Sequence, residues 1–317
     1  MLAERFVRND MGYIKRELCV KSSDGVHTLA GVVYIPNGEI RGIYHTLHGM
    51  TEHIARYDGF MATLAENGYI ACGYDHIGHG YTARDDAELG YFAKKDGYDI
   101  LCRDVKVFAD AVVSEFGEYP YILMGHSMGS FIARLAAAKY IKPNKLVIMG
   151  TGGKNPAADA GIALASIIGF FCGEKHKSKL IDSVAFGSYN KKFGGKVEGD
   201  GSLWLTTDKS VRDIYYADKF CTFKFTVSAM KDLIKLIKYS NSKEWYKSID
   251  KNMPILINSG MDDPVGNYAK GIMEIKIELD RAGANSTVKL YSGARHEILN
   301  EFCRDKVIAD ILEFCNN

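Results

Sequence analysis

One serine, one histidine and one of two aspartates, far apart along the chain, have the types and the order that acyl transfer requires. Ser127 lies in Gly125-His126-Ser127-Met128-Gly129, between the apolar run Tyr121–Met124 and the helix-forming run Phe131–Tyr140. A G-x-S-x-G pentapeptide between a strand and a helix forces a sharp turn that exposes the hydroxyl, and the helix N-terminus behind it favours a developing anion. Taken alone, the pentapeptide also fits a plain glycine-rich turn with an N-capping serine. A hydroxyl is a weak nucleophile at neutral pH and needs a base within hydrogen-bond reach. Of nine histidines only His176 and His296 follow Ser127. His176 sits in the lysine-rich GEKHKSK and is expected to face solvent. His296 follows the strand-like Ser286–Tyr291 and the turn SGAR, and is expected to open the last helix at the carboxyl end of a late strand, where ligand chemistry collects.

A base of this kind needs an acceptor to fix its tautomer and stabilise the imidazolium. The apolar run Pro254–Ser259 leads into Gly260-Met261-Asp262-Asp263-Pro264. Asp263 is preferred over Asp262, because the following proline holds it extended. Asp262 then becomes a turn residue or a supporting group. A tetrahedral oxyanion also needs donors. The backbone N–H of Met128 is one, and the loop Leu47-His48-Gly49-Met50-Thr51-Glu52-His53 offers the N–H of Met50 as the other, with His48 buttressing the loop.

Short β-rich runs alternate with helical patterns around these residues. Strands are expected at Leu29–Ile35, Gly42–Leu47, Tyr69–Tyr74, Tyr121–Gly125, Lys145–Met149, Ile255–Ser259 and Ser286–Tyr291. Helices are expected at Ile54–Asn67, Asp99–Phe116, Met128–Tyr140, Ala269–Ala282 and Glu297–Phe314. This alternation implies an α/β chain with a mostly parallel central sheet covered by helices on both faces. The rhythm breaks between residues 151 and 250, a Gly- and Lys-rich, mainly helical stretch with sixteen Lys and Arg against eleven Asp and Glu. The expected organisation is therefore a core of residues 1–150 and 251–317 with an inserted lid at 151–250.

The apolar run Ala160–Cys172 is too short to span a bilayer and is expected to be a buried or pocket-lining helix. In the stretch Phe220–Tyr239, Met230, Leu233, Ile234 and Ile237 share one helical face and Lys231, Lys235 and Lys238 lie off it. Such a helix either packs on the core with solvated lysines or touches a lipid surface. A formal charge of +1 gives no reason to expect nucleic acid. Seven cysteines, none spaced C-x-x-C, and an N-terminus without an apolar leader favour a reducing, cytoplasmic setting.

HGMTEHIARY, DHIGHG, GHSMG, SGMDDPVG and GARHEILNE occur in this order. Together they resemble the monoacylglycerol lipase and lysophospholipase branch of the α/β hydrolases, whose bacterial members are often labelled serine aminopeptidase-like. The resemblance implies an α/β-hydrolase fold, a Ser127–Asp263–His296 triad and oxyanion donors at Met50 and Met128. It suggests that Glu52, His53, Arg56 and Tyr57 stabilise the loop beside the site. Thr51 departs from the small residue many relatives carry there. The expected substrate is a small-molecule or lipid acyl ester, namely a monoacylglycerol, a lysophospholipid or a short acyl ester, with transient membrane contact through the lid and no cofactor. The same triad serves an amidase, aminopeptidase or acyltransferase. An aminopeptidase needs carboxylates for the substrate amine, and the insertion offers Glu174, Glu198, Asp200, Asp208, Asp213 and Asp218. No metal site is expected, since the histidines at 45, 48, 53, 76 and 79 match neither H-x-H-x-D-H nor H-E-x-x-H. A non-catalytic binding protein on the same scaffold would usually lack a triad member, and none is missing.

Overall fold

The computed structural model describes residues 7–8, 12–194 and 201–317. The N-terminal residues 1–6 and 9–11, part of the stretch read above as leaderless, lie outside the described residues, as do Glu198 and Asp200. Among the described residues nine strands form one sheet: β1 (Val7–Arg8), β2 (Tyr13–Lys21), β3 (Thr28–Pro36), β4 (Gly42–Leu47), β5 (Tyr69–Tyr74), β6 (Tyr121–His126), β7 (Lys145–Met149), β8 (Ile255–Gly260) and β9 (Ser286–Tyr291). Their order is β1-β2-β3-β5-β4-β6-β7-β8-β9. The first three pair antiparallel, as do β3 and β5, and the rest run parallel.

The inner strands β4, β5, β6 and β8 are buried at every position, as expected where helices cover both faces. On one face lie α1 (Asp58–Glu66) and α10 (Arg304–Asn316), with Phe60, Met61, Leu64, Val307 and Ile311 in the core. On the other lie α2 (Gly97–Phe116), α3 (Met128–Lys139) and α9 (Lys270–Arg281), with Leu101, Phe108, Ile132, Ile272 and Leu279. β2 went unread in the sequence: near the antiparallel edge, it alternates half-buried and exposed residues after a buried Tyr13, with Lys15, Glu17 and Lys21 on its wet face.

Between β7 and β8 the described residues form helices and turns only: α4 (Ala158–Cys172), α5 (Lys179–Phe186), α6 (Lys209–Ala217), α7 (Val227–Ser240) and α8 (Lys243–Ser248). Two expectations need correction here. The apolar α4 is not a buried helix. Only Ala158 and Ala165 are buried, while Ile167, Phe170 and Phe171 are 57%, 82% and 79% exposed. The reason is competition for the inner position, which α7 takes by burying Met230, Leu233 and Leu236; α4 packs on the outside of α7, with Gly161 against Ile234. Nor is every α7 lysine solvated, since Lys235 is largely buried and pairs with Asp96 and Asp232, whereas Lys238 pairs with Asp159 at the surface.

The final helix is also interrupted. His296 does not open it; a 3₁₀ turn at Ile298–Asn300 intervenes and α10 starts at Arg304. The Glu301 carboxylate accepts the Arg295 and Thr207 N–H groups, which ties this stretch to the insertion instead of to a regular helix. No helix among the described residues is long and apolar enough to cross a membrane.

Candidate active site

Ser127 sits at the junction of β6 and α3 with φ 52° and ψ −118°, a backbone conformation that side-chain-bearing residues rarely adopt. The turn survives because its neighbours are glycines. A Cβ on Gly125 would run into the Gly129 carbonyl, and one on Gly129 into the Leu47 carbonyl. The Ser127 N–H donates to the Met149 carbonyl at 3.0 Å, which fastens the turn to β7.

Asp263 follows β8 and His296 follows β9, so the parallel register brings both to the same end of the sheet. His296 Nδ1 lies 2.9 Å from Asp263 Oδ2, and both side chains are buried. Asp262 points elsewhere and pairs with Lys192 at 2.6 Å. The Asp263 carboxylate also accepts the Val265 N–H at 2.8 Å, which fixes its orientation. Ser127 and His296 line one cavity of about 140 Å³, together with Met50 and Met128. His176 is exposed in the insertion, away from that cavity lining.

Along one side of the cavity runs a buried charged network. Arg56 donates two hydrogen bonds to Glu297, at 2.8 and 2.7 Å, and one to Glu52 at 2.6 Å. Glu52 in turn accepts the Gly49 N–H at 2.5 Å and the Tyr57 hydroxyl at 2.9 Å. Burial alone would raise the Glu52 carboxyl, but the Arg56 guanidinium and His126 hold it well below the usual range. His126, the residue before Ser127, lies 2.9 Å from the Tyr57 hydroxyl and 3.3 Å from the His296 carbonyl. Burial alone would lower this imidazole, yet its contact with Glu52 outweighs burial and its pKa is raised. An imidazolium donates from both nitrogens, which suits both acceptors. The network thus joins the Gly49–Glu52 loop to the loop carrying His296.

The sequence reading missed His126, which it left as the free position of a motif. It also missed the insertion's contribution: Phe186, Tyr189, Trp204, Leu205 and Tyr215 form the far wall of the cavity. Trp204 packs on His296 with ring centroids 5.0 Å apart, and the Trp204 and Leu205 carbonyls accept the His296 and Glu297 N–H groups. Tyr215 reaches the Gly49–Glu52 loop, 3.0 Å from the Thr51 hydroxyl, and donates to the Thr51 carbonyl. Thr51 has a φ of 52°, so this chain places a β-branched residue where glycine is at ease, and Tyr215 holds it there. Aromatic residues in a lysine-rich segment were the available signal.

The loop rests on three imidazoles, His48, His76 and His79, packed tilted and edge-on against one another. His48 Nε2 accepts the His76 N–H at 3.0 Å, His48 Nδ1 lies 2.8 Å from the Gly49 carbonyl, and His79 Nε2 accepts the Thr51 N–H at 3.3 Å. Burial lowers His76 to about 3 and His79 to about 4; it lowers the nearby His45 to about 3, and His48 well below its ordinary value. These groups stay neutral when folded and take up protons when unfolded below about pH 6.5. Stability should therefore fall as pH drops from 6.5 towards 4. Burial raises Asp232 to about 6 and also raises Asp75 and Asp104, which offsets part of the uptake. A net uptake of one proton or more costs at least about 1.4 kcal/mol per pH unit. Urea unfolding at pH 7, 6 and 5 checks this, and a free energy independent of pH over that range contradicts it.

A family model described as "Serine aminopeptidase, S33" matches residues 38–302. The monoglyceride lipase of Rattus norvegicus is 31% identical over 104 residues, 33% of this chain and 32% of that protein, so the aligned stretch spans about a third of that relative. The monoacylglycerol lipase of Mycolicibacterium smegmatis is 23% identical over 92% of this chain and 97% of its own length. Among solved structures, a thermostable carboxyl esterase from Bacillus coagulans in complex with glycerol superposes with a TM-score of 0.89 and 27% identity, covering 95% of this chain and 98% of that one.

Proposed function

Because the chain belongs to the serine aminopeptidase S33 family, and has the α/β-hydrolase fold, we propose that it is a carboxylic ester hydrolase working through an acyl-enzyme on Ser127. The observation that carries this reading is the buried His296–Asp263 hydrogen bond at the edge of the cavity that Ser127 lines. In this reading the Ser127 Oγ attacks the ester carbonyl while His296 Nε2 takes the hydroxyl proton. Asp263 accepts from His296 Nδ1 and stabilises the imidazolium. The N–H groups of Met50 and Met128 receive the oxyanion, and His296 returns the proton to the departing alcohol. Water then repeats the sequence on the acyl-enzyme. The names of the lipase and esterase relatives support ester cleavage.

The family name also raises aminopeptidase activity, which the charges in the cavity disfavour. Among the described residues its two carboxylates, Glu52 and Glu297, are both paired with Arg56, which leaves neither of them to receive a substrate ammonium. The wall is otherwise largely apolar, with Phe131, Phe186, Leu205, Leu233, Ile237 and Val265. Its volume of about 140 Å³ matches a cavity of about 150 Å³ that holds benzene. That is room for a short acyl group, and a longer chain must leave through the mouth. The exposed Phe170 and Phe171 at the end of α4, followed by Lys175 and Lys177, form the surface suited to lipid contact. A nitrophenyl ester series tests both points. Butyrate to hexanoate should be turned over at least about 10-fold faster than palmitate when monomeric, a difference of about 1.4 kcal/mol. Phe170→Ser with Phe171→Ser should slow turnover of emulsified esters only. A preference for palmitate, or equal loss on soluble and emulsified esters, contradicts the respective point.

A further inference from the structure

His53, Asp218 and Cys221 form a cluster that ester cleavage does not use. His53 ends the oxyanion loop, and the other two lie in the turn after α6. One ligand atom from each lies within 4.8 Å of the others, and His53 and Cys221 are buried, at 9% and 2% exposure. His53 Nε2 is already 2.7 Å from Asp218 Oδ2. The turn is pre-shaped: the Cys221 N–H donates to the Asp218 carbonyl at 3.1 Å, and the Phe220 N–H donates to Asp218 Oδ1 at 2.8 Å. The second of these bonds orients the carboxylate in the way outer hydrogen bonds orient metal ligands. Phe220 packs against His53 at 5.7 Å and Tyr81 against Phe220 at 4.8 Å, so aromatic rings cover one side of the cluster.

We propose that these three side chains form a zinc site that pins the insertion to the oxyanion loop. The donor set selects the ion. A thiolate, an imidazole and a carboxylate suit Zn²⁺, whereas Ca²⁺ and Mg²⁺ require several oxygens. Bonds of about 2.0–2.3 Å set tetrahedral ligand atoms about 3.5 Å apart, so side-chain rotations of about 1 Å complete the geometry. On binding, the Cys221 thiol releases its proton to solvent and forms the Zn–S bond. His53 directs its Nε2 lone pair to the ion in place of the hydrogen bond to Asp218. Asp218 and the thiolate neutralise the dication, and water takes the fourth position.

The test uses the full chain after chelation, titrated with Co²⁺ alone and then with Zn²⁺. The expected result is one cobalt per chain with a thiolate-to-cobalt charge-transfer band, displaced by Zn²⁺ and retained in Cys172→Ala. The band should vanish in Cys221→Ala and weaken in His53→Gln, and Zn²⁺ should raise the melting temperature of the unmodified chain but not of Cys221→Ala. If Cys221→Ala does not fold, His53→Gln decides by the same spectrum. No band in the unmodified chain, or a band unchanged by the variants that fold, overturns the proposal. Esterase turnover plays no part, so this site and the ester reading fail independently.

Discussion

Ser127→Ala should lower kcat for a short nitrophenyl ester by about 10⁴- to 10⁶-fold while leaving the melting temperature nearly unchanged. The alanine removes the atom that becomes acylated, and it keeps the Cβ that the turn already accommodates. His296→Ala should cost a similar factor, and Asp263→Asn about 10⁴-fold, because an amide at that position favours the wrong imidazole tautomer. The three losses should not add, since the groups act as one unit. Single-turnover kinetics with a fluorophosphonate label as a second readout checks this. Turnover of Ser127→Ala equal to the unmodified chain removes the proposed mechanism.

Arg56→Met should be the most damaging change outside those three. The guanidinium is the shared cation of Glu52 and Glu297, all three groups being largely buried. Breaking a buried ion pair by deleting one partner costs about 3–5 kcal/mol, because the remaining charge keeps its desolvation penalty. Arg56 holds both carboxyls below their usual range. Without it their pKa values rise, so the folded variant takes up protons that its unfolded chain binds only at lower pH. The destabilisation should therefore be larger at pH 8 than at pH 5, a sign that loss of packing alone does not give. Urea unfolding of the variant and the parent at both pH values decides it, and an equal loss at both contradicts the electrostatic account.

The parallel strands were readable because they are continuous apolar runs, and the elbow because its two glycines are dictated by carbonyls that a side chain would strike. The choice of Asp263 over Asp262 rested on Pro264, and the structure gives Asp263 the bond to His296 and Asp262 the bond to Lys192. Their catalytic roles remain the proposal made above. What was illegible depends on distance along the chain. The contact of Tyr215 with Thr51 spans 164 residues and carries no periodic signal. The outward face of α4 was unreadable for a different reason: apolar composition reports a helix's affinity for burial, not which of two apolar helices occupies the inner position. The break before α10 came from Glu301, whose side chain bonds across to Thr207.

In the proposed mechanism the reacting groups stand on loops of the sheet, while the far wall of the cavity comes from one contiguous stretch between β7 and β8. Under that mechanism chemistry and selectivity are separable in inheritance: exchanging a single segment should alter which acyl group fits without rewriting the reaction. The exchange has one condition. Any replacement must present two carbonyls where Trp204 and Leu205 now receive the His296 and Glu297 N–H groups, or the new selectivity arrives with a misaligned base.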